Sequence, residues 1–159
     1  MSTKAEYSAS LIAKYFIWKA GKEGKKVSNK KLQKLLYYAQ AWNLVFNDKP
    51  LFKEDIEAWI HGPAVWSVYQ EYKDLGFKDI DEKVEESDVK DIKEKELLDT
   101  VWSIYGKFDA QYLETLSHNE KPWQVARESV GSNISSRNAI SLDLMKEYYT
   151  SVLAKAKNG

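Results

Sequence analysis

The chain has 159 residues, no cysteine, and 24 basic against 24 acidic side chains; this excludes disulfides, thiolate nucleophiles and cysteine-ligated zinc and leaves room for one hydrophobic core. No stretch of about 20 apolar residues occurs, and the opening MSTKAEYSASLIAK lacks the unbroken apolar core of a signal peptide, so the expectation is a cytoplasmic protein with no membrane segment. The zero net charge hides a separation, with 11 lysines against 3 acids in residues 1–53, 7 against 15 in 54–107, and 6 basic against 6 acidic in 108–159, an asymmetry that bears on association rather than on fold.

Residues 6–20, EYSASLIAKYFIWKA, place Tyr7, Leu11, Ile12, Tyr15, Phe16 and Trp18 on a broad apolar stripe and predict a buried first helix. GKEGKK then breaks the pattern, and Ser28 is the candidate N-cap of the next helix. Val27 and Leu32 flank that cap at the spacing of a hydrophobic staple, although Lys31 stands where a capping box needs Glu or Gln. In NKKLQKLLYYAQAWNLVF, the residues Leu32, Leu35, Leu36, Ala39, Trp42 and Phe46 share one helical face. DIEAWI next alternates Ile56, Ala58 and Ile60 with Glu57 and Trp59, the pattern of a short strand.

Behind that strand comes His61-Gly62-Pro63. A residue before proline prefers extended backbone and proline suits the first position of a helix, so the tripeptide predicts a strand-to-helix joint. The helix behind it runs through Val65, Tyr69, Tyr72 and Leu75 and stops near Gly76. Residues 78–96 hold 9 acids and 5 lysines and predict an exposed acidic connector, with a short strand or turn near Ile80 to Val84. Leu97, Leu98, Val101, Trp102 and Tyr105 form the next helical stripe, Asp109 is placed to cap a helix over AQYLETLSH, and Pro122 to open a short one through Trp123 and Arg127. After the turn-rich ESVGSNISSRN, a last helix runs through Leu142, Met145, Tyr149 and Val152, with 154–159 as a frayed tail. The expected fold is mainly α, a single compact helical domain over 1–159 with its core in about 7–153, about six or seven helices and a minor β element.

The two histidines are the side chains whose ordinary pKa lies nearest neutrality, and each has an acid close in sequence, Glu57 for His61 and Glu120 for His118. Neither an HExxH spacing nor a close histidine pair is present, so a structural role outweighs a catalytic or metal one. The helix start at Pro63 offers free N–H groups to an anion, as every helix start does, without a glycine-rich phosphate loop to sharpen the signal. The lysine-rich turn over 22–34, with Lys22, Lys25, Lys26, Lys30, Lys31 and Lys34, is the candidate contact for nucleic acid, and Asn29 or Gln33 the candidate base reader. Against it stand the zero net charge and the presence of only two arginines. The 21 aromatic residues exceed what the helix stripes place inward, and outward Tyr and Trp favour a protein interface. No cofactor or metal is expected, and a binding module fits these residues better than an enzyme.

Taken together, LQKLLYYAQAW, PLFKEDIEAWIHGPAVWSVYQEYK and LSHNEKPWQVARE resemble the Panacea domain of phage-associated, SocA-like antitoxins, over roughly residues 7–153. One departure is Ser117, where the family's motif has threonine. The resemblance implies an antitoxin that neutralises a cognate protein toxin by direct binding, in one form as an adaptor delivering the toxin to a protease, with no catalytic residues to carry over. The alternative is a nucleic-acid-binding regulator using the lysine turn. The residues that the resemblance marks as motif or partner-binding are Lys31, Gln33, Lys34, Tyr37 and Tyr38 in the first block, Trp59, His61, Gly62 and Pro63 in the second, and His118 and Trp123 in the third.

Overall fold

Two serines set the first two helices. Ser8 Oγ accepts the Leu11 N–H and opens α1, Ala9–Lys22, three residues later than the stripe alone implied; Ser28 Oγ accepts the Lys31 N–H and opens α2, Asn29–Asn47. Each satisfies a backbone donor that the first helical turn leaves without a partner. The computed structural model describes residues 4–131 and 133–158, and continues with β1 (Glu57–Trp59), β2 (Gly62–Ala64), α3 (Trp66–Tyr72), a 3-10 turn (Lys73–Leu75), α4 (Glu86–Val89), α5 (Lys95–Tyr105), α6 (Ala110–His118), α7 (Lys121–Ala126) and α8 (Leu142–Asn158). The fold is mainly α, with one two-stranded antiparallel sheet among the described residues. Helix α8 continues past Val152 through the segment expected as a tail; Gly159 lies outside the described residues.

Helix α2 is the spine: α1, α3, α5, α6, α8 and β2 all pack against it. Leu32, Leu35, Leu36 and Ala39 are fully buried as their spacing requires, but Phe46, at the end of the same stripe, is 57% exposed because the surrounding helices do not extend over it. The other side of α2 is buried too, and it is polar: Asn29, Gln33, Lys34, Gln40 and Asn43 all lie inside. Asn29 donates to Tyr69 O, Gln33 accepts from Val65 N–H, Lys34 donates to Pro63 O, and Asn43 donates to Lys49 O. Gln40 does both, donating to Phe52 O and accepting the Leu51 N–H. Helix α2 thereby satisfies backbone groups between residues 49 and 69 that the short β1–β2 ladder and α3 leave without a partner.

The expected strand-to-helix joint is corrected to a hairpin turn. Glu57, Ala58 and Trp59 pair with Ala64, Pro63 and Gly62, Ile60 and His61 form the turn, and α3 starts only at Trp66. Pro63 fits inside a strand because its partner Ala58 turns its own N–H and C=O the other way, to Asn138 O and to Arg127; the missing proline donor faces a position where no ladder bond is made.

Residues 78–96 are corrected as well. Three of their aliphatic side chains, Ile80, Val89 and Ile92, are buried, and α4 packs on α1 under a capping box of Glu85 and Asp88. Val27 O accepts the Ile80 N–H, so the segment is tied beside the start of α2. Its acids also meet the lysines of the N-terminal third: Lys14 with Glu82, Lys26 with Asp81 at 3.1 Å and, just beyond, Lys19 with Asp99 at 3.3 Å. The charge separation read from the sequence is in large part closed within the molecule, as pairs that individually stabilise little. If Ile80 and Ile92 anchor this segment, Ile80→Ala and Ile92→Ala should each cost about 2–5 kcal/mol in urea unfolding, while Lys83→Ala in the same segment stays within about 0.5 kcal/mol. Wild-type stability of Ile80→Ala would return the segment to an exposed connector.

Candidate functional site

The three sequence blocks that stood out meet in space. From α2 come Gln33, Lys34 and Tyr38; from the hairpin, Trp59 to Pro63; from α6 and α7, Glu114, Ser117, His118, Glu120 and Trp123. The hairpin forms the lid over this cluster, because its carbonyls accept from three side chains below: Lys34 Nζ to Pro63 O at 3.1 Å, Trp123 Nε1 to Trp59 O at 2.8 Å and Arg127 Nη1 to Ala58 O at 2.7 Å. His118 stacks on Trp123 with ring centroids 4.1 Å apart, closing the cluster from the α6 side.

Gly62 is where the hairpin comes closest to α2. Its φ of +104° is a conformation that residues with a side chain rarely adopt, and an added Cβ would lie 2.7 Å from Lys34 Cε and 3.2 Å from Ser117 Oγ. Backbone and space therefore demand glycine together. Ser117, the departure from the family motif, is fully buried and donates to Glu114 O within its own helix.

Two ionisable groups sit in the interior. Burial pushes the Lys34 ammonium down to about 7, against the pull of the nearby Glu114 carboxylate. Burial pushes Glu120 up to about 7, opposed by hydrogen bonds from Tyr149 and Tyr38, whose hydroxyls donate at 2.7 and 2.9 Å. Tyr37 joins this set through a hydrogen bond between its hydroxyl and that of Tyr149, 2.9 Å apart, and burial holds all three phenols far above their ordinary range. His118 is lowered, again by burial first. The polar interior is thus arranged around neutral or half-ionised forms, with most donors directed at backbone carbonyls.

Of the residues singled out in the sequence, the site gathers Gln33, Lys34, Tyr38, Trp59, His61, Gly62, Pro63, His118 and Trp123, while Tyr37 lies one layer deeper. Lys31 points elsewhere, donating to Gly106 O over the ring of Trp102. His61 is exposed, with Nδ1 3.9 Å from Glu114, and Glu57 is engaged by Arg137 and Trp59 instead. No group of three or more metal-ligating side chains occurs among the described residues. Sequence reasoning missed Ser117 as a neighbour of Gly62, Glu114 as the carboxylate near His61 and Lys34, and Arg127 as the clamp of the hairpin and of the carbonyls of Gly131 and Ile134. The signal available was that Arg127, one of only two arginines, lies near the end of the third block.

The lysine turn also changes meaning. Lys25 and Lys26 face Glu23 and Asp81, Lys30 pairs with Glu114, and Lys34 is buried. It is a neutralised corner of the fold rather than a bare basic stripe. The rings left at the surface are few: Phe46, Trp66, Phe77 and Tyr112.

Residues 32–124 match the family described as antitoxin SocA-like, Panacea domain. Antitoxin SocA of Caulobacter vibrioides (strain NA1000 / CB15N) is 30% identical over 138 residues, covering 79% of this chain and 73% of that protein. No solved structure gives a significant match. The chain belongs to the SocA-like Panacea-domain family.

Two outcomes follow from this geometry. Gly62→Ala should cost about 1–3 kcal/mol from backbone strain alone, with more from the contact with Lys34; Gly76→Ala, also at positive φ but with nothing within 4 Å of the added carbon, should cost less by thermal unfolding. Equal losses would remove the hairpin's close approach as the cause.

The second outcome is a pH profile. Between the ordinary carboxylate value of 4.5 and about 7 the folded chain keeps a proton on Glu120 that the unfolded chain has lost, so this group makes stability fall as pH rises through that window. Between about 7 and the ordinary lysine value of 10.5 the unfolded chain holds a proton that Lys34 has released, so stability rises. Urea midpoints measured against pH should lose the fall in Glu120→Gln and the rise in Lys34→Met; profiles parallel to wild type would show that neither group is perturbed.

Proposed function

We propose that this Panacea-domain protein is the antitoxin of a toxin–antitoxin system and neutralises a cognate protein toxin by binding it directly. In its adaptor form, the same binding presents the toxin to a protease. The reading places both proteins in the cytoplasm, and the cysteine-free sequence fits a reducing compartment. The observation that carries it is the likeness to antitoxin SocA across four fifths of the chain. The site adds support of a different kind: Lys34, Trp123 and Arg127 hold a hairpin, while Trp66, Phe46, Phe77 and Tyr112 stay at the surface, where aromatic side chains favour protein partners.

The motif residues have a supporting part in this reading. Gln33, Lys34, Tyr37, Tyr38, Gly62 and Pro63 are buried, so they shape the domain, while Trp59, His61, His118 and Trp123 keep some accessible surface. The alternative, nucleic-acid binding through 22–34, is the weaker reading, because Lys26 and Lys30 pair with Asp81 and Glu114 and Lys34 is buried.

Growth of cells in which the neighbouring gene is induced should depend on this chain, and the two products should co-purify at moderate salt. Protection without any physical complex would sink the binding reading and favour an enzyme acting on the toxin or its target. A complex that forms in a protease-deficient host, with protection lost there, selects the adaptor form over simple masking.

A further inference from the structure

Three helices border one open groove of about 790 Å³, remote from the hairpin, where Phe46 and Ile104 are left outside the core. Its lining includes Trp42 and Phe46 of α2, Leu97, Val101 and Ile104 of α5, and Leu153 of α8. Phe46 and Ile104 are 57% and 46% exposed, and a contiguous exposed apolar surface on a small domain marks an interaction site more often than chance. Trp42 and Phe46 are stacked with centroids 5.8 Å apart, and the Trp42 indole N–H is fixed on Tyr105 Oη at 2.9 Å. The groove is preformed and its central ring is held in place.

The spacing of the lining identifies the kind of occupant. Trp42 and Phe46 stand at i and i+4, and Leu97, Val101 and Ile104 at i, i+4 and i+7, so each wall is a helical ridge, and a helix with a stripe of the same period interdigitates with both. The rim identifies its charge. The charged lining residues are Glu94, Glu96 and Asp99 against the single Lys93, and Lys93 is itself 3.7 Å from Glu6. Asp99 and Glu94 also meet Lys19 and Lys49, so the negative charge left on the rim is that of the exposed Glu96.

We infer that the groove between α2, α5 and the end of α8 is the docking site for an amphipathic helix of the toxin, its apolar stripe seated on Trp42, Phe46, Leu97 and Ile104 and its basic flanks along the acidic rim of α5. The identity of the partner rests on the antitoxin reading; the chemistry of the occupant rests on the groove alone. Rim charges of this kind act mainly on encounter, and the apolar anchors on residence.

The test uses the full chain and a synthetic peptide of about 18 residues, long enough to form a helix on a partner surface, with leucine at i, i+3, i+4 and i+7 and lysine elsewhere, followed by fluorescence anisotropy. Binding should weaken by about tenfold or more with Phe46→Glu or Ile104→Glu, and by a similar factor when the peptide's lysines are replaced by glutamate. Phe77→Glu, at a position 93% exposed and outside the groove, should leave it unchanged. Phe46→Ala serves where the charged variants lose their far-ultraviolet circular dichroism. Unchanged binding by the Phe46 and Ile104 variants overturns the inference, as does a concentration-dependent dimer of the free chain that Phe46→Glu dissolves, since the groove would then hold a second copy. With the neighbouring gene's product as the probe, a complex that survives Phe46→Glu overturns the groove and leaves the antitoxin reading standing; no complex with the wild-type chain overturns the antitoxin reading, and the peptide result still decides the groove.

Discussion

The buried amide and ammonium groups on the polar side of α2 are the constraint from which the rest of the fold follows. Between residues 49 and 69 the chain has only six residues in strands, yet much of it runs against the core. Buried peptide groups there need partners, and leaving one unsatisfied costs about 1–3 kcal/mol. Asn29, Gln33, Lys34, Gln40 and Asn43 supply those partners at helical spacing. Because each side chain reaches one particular carbonyl or N–H, the segment is fixed in register along the helix, and the hairpin, α3 and the edge formed by residues 138–140 can be placed only one way.

Lysine at position 34 is the unusual choice in that set. Amides at the other four positions are uncharged donors and acceptors, whereas burying an ammonium ion is costly unless it is paired or neutralised. Lys34 reaches Pro63 O, under the one glycine whose missing side chain leaves space for its Cε. Glu120 is the mirror case beside the same helix, a carboxyl held by two phenols and displaced toward its neutral form. A hydrophobic replacement of either would remove a desolvation cost but also the direction that the hydrogen bonds impose. The motif residues of the family are thus explained by the architecture of the inside, which shifts the question of recognition to side chains that the motif does not contain.

This division also accounts for what the sequence made legible. Caps at Ser28 and Asp109, the proline start of α7 and the stripe from Leu32 to Trp42 were readable because each is decided within a few residues along the chain. The hairpin was not: Gly62 and Pro63 satisfy the local rules for a helix start as well as those for a turn followed by a strand, and the choice is made by Lys34, Trp123 and Arg127, distant in sequence. The acidic segment was misjudged because its average composition is that of a solvated linker, while Ile80, Val89 and Ile92 are spaced to dock one at a time. Lysines 26 and 30 read as a basic surface for the same reason; their acids lie about 50 and 80 residues further on and no local window contains them. The blocks behind the family resemblance all converge on the hairpin, but proximity in space could not be read from them separately.

The interior motif and the surface groove are joined by a short chain of contacts. Glu120 accepts from Tyr38, whose ring stacks on Tyr105 with centroids 4.0 Å apart; the Tyr105 hydroxyl in turn accepts from Trp42, the central ring of the groove. Trp42 would otherwise be one of several rotamers of a half-buried ring at the end of a stripe. Held by Tyr105, it presents the same face at all times, and Phe46 stacks against it. Preorganisation of this kind lowers the entropy lost on association, which for an exposed aromatic anchor is a substantial part of the cost of binding. The outermost residues, Phe46 and Ile104, lie beyond this chain of support and can change without disturbing it. A domain built this way separates two demands that compete in small proteins: buried residues such as Tyr38 and Tyr105 hold Trp42 in place from below, and exposed residues such as Phe46 and Ile104 remain free to vary.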